Sequence, residues 1–402
     1  MPPKAGNKNP AIPCYHQGMR FIALFAALFL ALTAQPANAD GNVVVLYIEG
    51  GIGVATADYI TSGIEHAAET NAELIIIEMD TPGGLMNAMD DIIKAILASR
   101  IPVATYVTPE GARAASAGTY ILMASHIAAM APTTRLGAAT PVSLTGDDAT
   151  PDKPAPPGAD DPATEDEAEP SSQDQPGTAI ERKVLNDALA EIRSLAERYG
   201  RNAEWAEEAV RNAATLTAKE ALEQNVIEFV ASSRADLLAQ INGYEVTIDD
   251  APVTLATNNV VIDEYEPNWR IKILSAIANP EIVLLLGLIG VYGLMYEGWN
   301  PGAIVPGVVG VICLLLAAYA LQVLPVNYAG LALILVGLAL MTAEAFAPSF
   351  GALGIGGIIA FVFGAIMMFD SGIPGFGISI TFVVALAALF ALAFIWLLNY
   401  LL

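Results

Sequence analysis

Hydrophobic and polar positions divide this chain into stretches of different period. Residues 43–49, Val-Val-Val-Leu-Tyr-Ile-Glu, form a continuous apolar, largely β-branched block, which predicts a strand buried on both faces. Gly50-Gly51-Ile52-Gly53 breaks it, and residues 55–70 return to helical spacing. The alternation continues with strands over 74–79 and 103–107, a helix over 85–99 with Asp90 and Asp91 on its wet side, and a third helix over 114–124. Beyond a gap, 181–199 (closed by Gly200) and 203–212 read as helices, Thr217 as the cap of another, and 226–230 as a strand. Strands alternating with helices of this length predict an α/β domain with a parallel sheet and right-handed crossovers.

The gap, residues 143–178, follows neither period. It mixes Asp147, Asp148, Asp152, Asp160, Asp161, Glu165, Asp166, Glu167, Glu169 and Asp174 with Pro, Ala, Ser and Gly. Too little apolar surface is present to offset chain entropy, so a disordered insertion is expected. From residue 282 the pattern is apolar. Five spans are expected, over 282–296, 304–321, 328–346, 353–369 and 378–398, with lengths bracketing the roughly 20 residues that cross a bilayer. Glu297-Gly-Trp-Asn-Pro301 with Gly307 and Gly310 parallels Glu344-Ala-Phe-Ala-Pro348 with Gly354 and Gly357, which predicts a repeated helix-break-helix hairpin. Glu297 and Glu344 read either as functional intramembrane acids or as interfacial residues. At the other end, Lys4, Lys8 and Arg20, an apolar stretch over 21–32 and Ala37-Asn38-Ala39 read as a secretory signal, with an uncleaved anchor as the alternative. The expected organisation is a signal peptide (1–39), a soluble α/β domain (40–265) and an all-α transmembrane bundle (266–402). An exported soluble domain followed by five spans leaves the C-terminus cytoplasmic.

Composition sharpens this division. The chain of 402 residues is 54% hydrophobic yet carries a formal charge of −24. No Lys or Arg follows Lys272, and the acids crowd into residues 40–265. So acidic a soluble part repels nucleic acid, which leaves the lipid bilayer as the partner of the apolar end. Cys14 and Cys313 offer no disulfide framework, and no metal or cofactor is expected.

Chemistry concentrates around Gly111-Ala-Arg-Ala-Ala-Ser116-Ala-Gly118. A strand ends, a small-residue turn follows, and Ser116 falls at a helix start, where the hydroxyl is unobstructed and developing negative charge is favoured. Ala115, Ala117 and Gly118 would let a substrate backbone approach. Small-residue helix packing fits the same residues. Gly83-Gly84, between a strand and a helix, can present N–H groups to an oxyanion, or serve only as a turn. A serine needs a base. His126, ten residues on, would lie about 15 Å along the same helix, beyond reach. His66 reads as surface or core filler.

The runs Asp80-Thr-Pro-Gly-Gly84, Gly111–Gly118 and Arg135-Leu-Gly-Ala-Ala-Thr-Pro141 resemble the long-form NfeD family of membrane-bound serine proteases, relatives of the Clp proteolytic subunit and signal peptide peptidase A. The resemblance continues through Ser194–Asn202, Leu216–Leu222 and the apolar end. It implies a ClpP/crotonase-like fold and a Ser-Lys dyad, because 136–141 holds no histidine where Clp-type proteases carry theirs. Counting back from Gly200-Arg-Asn202 puts the family lysine on Lys183, which otherwise reads as a surface lysine paired with Glu181 or Asp187. Lys94, Lys153 and Lys219 compete less well. The resemblance further implies hydrophobic peptide segments as substrate, a stomatin- or flotillin-like client or partner, and a homodimer or higher homo-oligomer. The long acidic insertion and the absence of the soluble domain that often ends such chains depart from the family pattern. A non-catalytic scaffold, a transporter and an acyl-CoA enzyme are weaker readings.

Overall fold

A computed structural model describes residues 41–141, 179–302, 304–324, 326–347, 349–370 and 377–401. The expected signal peptide and acidic insertion lie outside the described residues. In chain order the elements are β1 (Asn42–Glu49), α1 (Val54–Glu69), β2 (Leu74–Asp80), α2 (Met86–Leu97), β3 (Val103–Val107), β4 (Arg113–Ala115), α3 (Ala117–Ala124), β5 (Ile127–Met130) and β6 (Arg135–Gly137). After the undescribed segment come α4 (Ala179–Arg198), α5 (Ala203–Arg211), β7 (Thr215–Thr217), α6 (Ala218–Glu223), β8 (Phe229–Val230), α7 (Arg234–Ile241), β9 (Glu245–Ile248), β10 (Ala251–Thr254), β11 (Val261–Glu264) and α8 (Trp269–Ile277). The apolar end forms α9 (Pro280–Trp299), α10 (Ile304–Val323), α11 (Tyr328–Phe346), α12 (Ala352–Phe369) and α13 (Ile380–Leu401).

The main sheet has the order β11-β1-β2-β3-β5-β8, and every pairing in it is parallel. Its continuous apolar strands fill both faces. Val44, Leu46, Ile75 and Ile77 pack under α1, α2 and α3, while Val43, Val45, Leu74 and Ile76 pack with Leu237 and Ile241 of α7 and the β9–β10 hairpin. Burial on both sides is why these strands read as unbroken hydrophobic runs.

One expected element changes. The helix foreseen over 114–124 is a strand, β4, then Ser116, then the shorter α3. β4 pairs with β6, which pairs with β7, in a second small sheet. Pairing partners distant in sequence thus override local helix propensity for Arg113–Ala115. His126 therefore lies outside α3, ahead of β5, not on one helix with Ser116. It is buried, and its Nδ1 accepts the Val103 N–H at 3.2 Å. His66 bonds Asp263 at 2.8 Å and stacks on Tyr265.

All five expected apolar segments are helical. By length and composition, α9, residues Ile304–Gln322 of α10, and α12 are each sufficient to cross a membrane among the described residues; α11 and α13 contribute shorter apolar stretches. Helices pack as the hairpins α9–α10 and α11–α12. A Cβ at Gly293 would fall 2.6 Å from the Pro306 carbonyl oxygen, and one at Gly337 2.7 Å from that of Gly357, so glycine sets the close approach in each hairpin. Glu344 is buried. Its carboxylate accepts the N–H groups of Ser349, Gly351, Leu353 and Gly354 and the Ser349 hydroxyl, closing the break before α12. Its repeat equivalent, Glu297, lies directly against Gly307. Asn279 caps α9 through the N–H groups of Glu281 and Ile282.

Candidate active site

Ser116 sits between β4 and α3 with φ 53° and ψ −119°, a conformation that costs an L-residue about 1–3 kcal/mol. Its surroundings hold it there. The Ser116 N–H donates to the Gly137 carbonyl at 3.1 Å, extending the β4–β6 pairing by one residue. Thr119, fully buried, donates its hydroxyl to the carbonyls of Ala114 (2.9 Å) and Gly137 (3.0 Å), tying helix and both strands together.

The far end of α3 is anchored by a residue the sequence reading missed. Arg201, of the Gly200-Arg-Asn202 run, is buried and donates to the carbonyls of Leu122, Met123 and Ser125. Its charge is met by a two-pronged pair with Glu228 at 2.7 and 2.9 Å. Cationic capping of this kind satisfies the orphan carbonyls of a helix C-terminus. Nearby Asn202 caps α5 through the Trp205 N–H at 2.9 Å.

Opposite Ser116 lies the turn after β2. Thr81 is buried, accepts the Gly83 N–H at 3.1 Å and donates to the Gly50 carbonyl at 2.7 Å. Gly83 has φ +120°, and a Cβ there would stand 2.6 Å from the Ser116 Cβ. Gly83 thus makes room for the serine, while its N–H is already engaged. Among the described residues the N–H groups of Gly84 and Ala117 have no hydrogen-bond partner. Ile52 clamps the turn from behind, donating to the Gly83 carbonyl at 2.9 Å and accepting the Leu85 N–H at 2.8 Å.

A cavity of about 160 Å³ opens between these parts and α4. Ser116, Ala117 and Gly84 form one side; Leu85, Met89, Tyr120, Val184 and Ala188 supply apolar walls; Asp187 and Glu191 bring carboxylates. Such a volume takes one ring-sized side chain, since an apolar cavity of about 150 Å³ admits benzene. Ala115 is half-buried in β4, and Gly118 packs against Thr81, away from the cavity.

Burial raises the Glu191 carboxyl, with Asp90 and Asp187 adding to the effect. Asp90, expected on the wet side of its helix, is half-buried and likewise raised by burial. Burial of His126, helped by Arg198 and Arg201, lowers its pKa to about 4, so the imidazole stays neutral.

Lys183 lies in the first turns of α4, one residue before Val184 of the cavity wall, and its side chain is exposed. The structure does not bring it into hydrogen-bond contact with Ser116, whose Oγ has no partner among the described residues. Lys94 and Lys219 are surface residues beside Asp91 and Glu223.

A parallel-sheet α/β domain that presents a serine over an apolar cavity, followed by bilayer-length helices, defines a membrane-anchored protein of the ClpP-like class. Residues 42–155 match the N-terminal domain of NfeD1b, and residues 281–400 match the NfeD integral membrane domain. The chain is 37% identical over 353 residues to the membrane-bound protease PH1510 of Pyrococcus horikoshii, spanning 87% of this chain and 74% of that one. It is 30% identical to membrane protein NfeD1b of Bacillus subtilis over 85% of this chain and 71% of that one. A solved lysine-to-alanine mutant of a membrane-bound stomatin-specific protease, in complex with a substrate peptide, is 38% identical with a TM-score of 0.49, covering 60% of this chain and 98% of that one. The chain belongs to the long-form NfeD family of membrane-bound proteases.

Proposed function

We propose that this chain is a multi-pass serine endopeptidase of the inner membrane, with its soluble domain on the periplasmic side, that cleaves hydrophobic segments of a stomatin-like protein. One observation carries the reading: a strained serine faces an apolar cavity beside two backbone N–H groups without partners among the described residues. Ser116 Oγ attacks the peptide carbonyl while the Lys183 amine takes its proton. The Gly84 and Ala117 N–H groups receive the oxyanion, a contribution of a few kcal/mol to the transition state. Lys183 then returns the proton to the leaving amine, and water releases the acyl group from Ser116. Lys183 must swing toward Ser116 when substrate fills the cavity; it precedes Val184 of the cavity wall on the same turn of α4. Homo-oligomerisation of the soluble domain belongs to the same reading, as does a signal peptide removed after Ala39.

The test is labelling with a serine-reactive phosphonate and cleavage of apolar stomatin-derived peptides by the full chain in detergent. Ser116→Ala should abolish both, and Lys183→Ala should lower both by at least 100-fold. Undiminished cleavage in Ser116→Ala would end the proposal.

The exposure of Lys183 favours a second reading, a scaffold that holds a stomatin-like partner without cleaving it. Ser116→Ala then leaves the membrane phenotype intact.

A further inference from the structure

The turn that faces Ser116 touches the membrane helices. Leu85 follows Gly84 directly and forms part of the cavity wall beside Ser116. The same side chain packs against two hydrophobic cores, that of the soluble domain and that of the helical bundle. On its other side is a second cavity of about 220 Å³, whose walls include Gly53 and Val54 of the soluble domain and Asn279, Pro280 and Leu324 of the membrane part. Leu324, just past α10, is buried and belongs to the bundle core. α8 makes a parallel bridge, with Ile271 in the soluble core and Ile277 against the bundle.

The tolerances on this turn are tight. A Cβ at Gly83 would stand 2.6 Å from that of Ser116, and the turn is held by two backbone hydrogen bonds from Ile52 and by the Thr81 hydroxyl. Directly after the turn, the Leu85 side chain packs into both hydrophobic cores. A misplacement of about 1 Å at a catalytic centre costs on the order of 100-fold in rate.

We propose that Leu85 is a positioning residue through which the membrane bundle, at Leu324, holds the Gly83–Gly84 turn in register with Ser116. Hydrolysis then depends on the seating of the soluble domain against its own membrane helices, and anything that lifts it from Leu324 slows the chemistry. This rests on the proposed peptidase reading.

The experiment uses the full chain in lipid nanodiscs with Leu85→Ala, Leu324→Ala, the milder Leu324→Val, the shape-retaining Leu324→Met, and Leu315→Ala on the exposed side of α10 as control. Phosphonate labelling rates of Ser116, and kcat and KM for an apolar peptide, are measured for each. Both Ala variants should lose about tenfold in labelling rate and kcat with KM within twofold, and Leu324→Val about threefold. Leu324→Met should recover most of the activity, and Leu315→Ala should match wild type. Equal labelling and kcat in Leu324→Val and wild type would overturn the inference even if the Ala variants fail to fold. A rise in KM alone would overturn it too, making Leu85 only a wall of the cavity. An unlabelled wild type would instead defeat the peptidase reading itself.

Discussion

Gly83 and Ser116 come from turns more than 30 residues apart, yet a methyl group on the first would overlap the Cβ of the second at 2.6 Å. The left-handed φ of +120° at Gly83 adds to that steric demand. Gly83→Ala should therefore displace the serine as well as strain its own turn. The expected outcome is loss of at least 100-fold in phosphonate labelling by the full chain, with its helical circular dichroism retained.

Arg201 spends its guanidinium on three carbonyls at the end of α3 and on Glu228. Removing one partner of a buried ion pair costs about 3–5 kcal/mol. Arg201→Met should lower the thermal midpoint more than Arg193→Met, whose ion pairs lie on the surface. Equal shifts would contradict the capping role.

Two groups, buried His126 and half-buried Glu191, give opposite pH dependence. His126 has its pKa lowered from 6.5 to about 4, so between those values the unfolded chain binds the extra proton and stability falls as pH falls. His126→Gln should flatten that slope. Glu191 is raised, so the folded chain holds its proton longer and stability falls as pH rises from the ordinary carboxylate range through the raised value. Glu191→Gln should raise the thermal midpoint at pH 7 and leave it unchanged at pH 3. Melting curves across pH 3–8 separate the two.

Glu344 gathers four N–H groups and a hydroxyl at the break before α12. Each buried donor left without a partner costs roughly 1–3 kcal/mol. Glu344→Ala should loosen the α11–α12 hairpin, read as faster thermal inactivation in detergent and trypsin-free unfolding by tryptophan fluorescence. Glu344→Gln keeps an acceptor oxygen and should fall between Ala and wild type.

Periodicity alone determined β1, β2 and β3 with the helices that follow β1 and β2, α4 and α5, and the apolar helices at the end, because each depends on spacing within one short window. The capping box at Thr217 was legible for the same reason, and Glu220 completes it. Ser116 stood out through its small neighbours and its place after a strand. Only the tertiary structure decided that Arg113–Ala115 is a strand, since its partner is β6 some twenty residues on. It also decided that the Gly83 N–H is taken by Thr81 while that of Gly84 has no partner among the described residues, and that Asp90 is half-buried close enough to Glu191 to raise its pKa. The purpose of Arg201 was equally hidden, because the carbonyls it caps belong to another helix. Contacts between residues far apart in the chain are set by packing, and no local pattern encodes them.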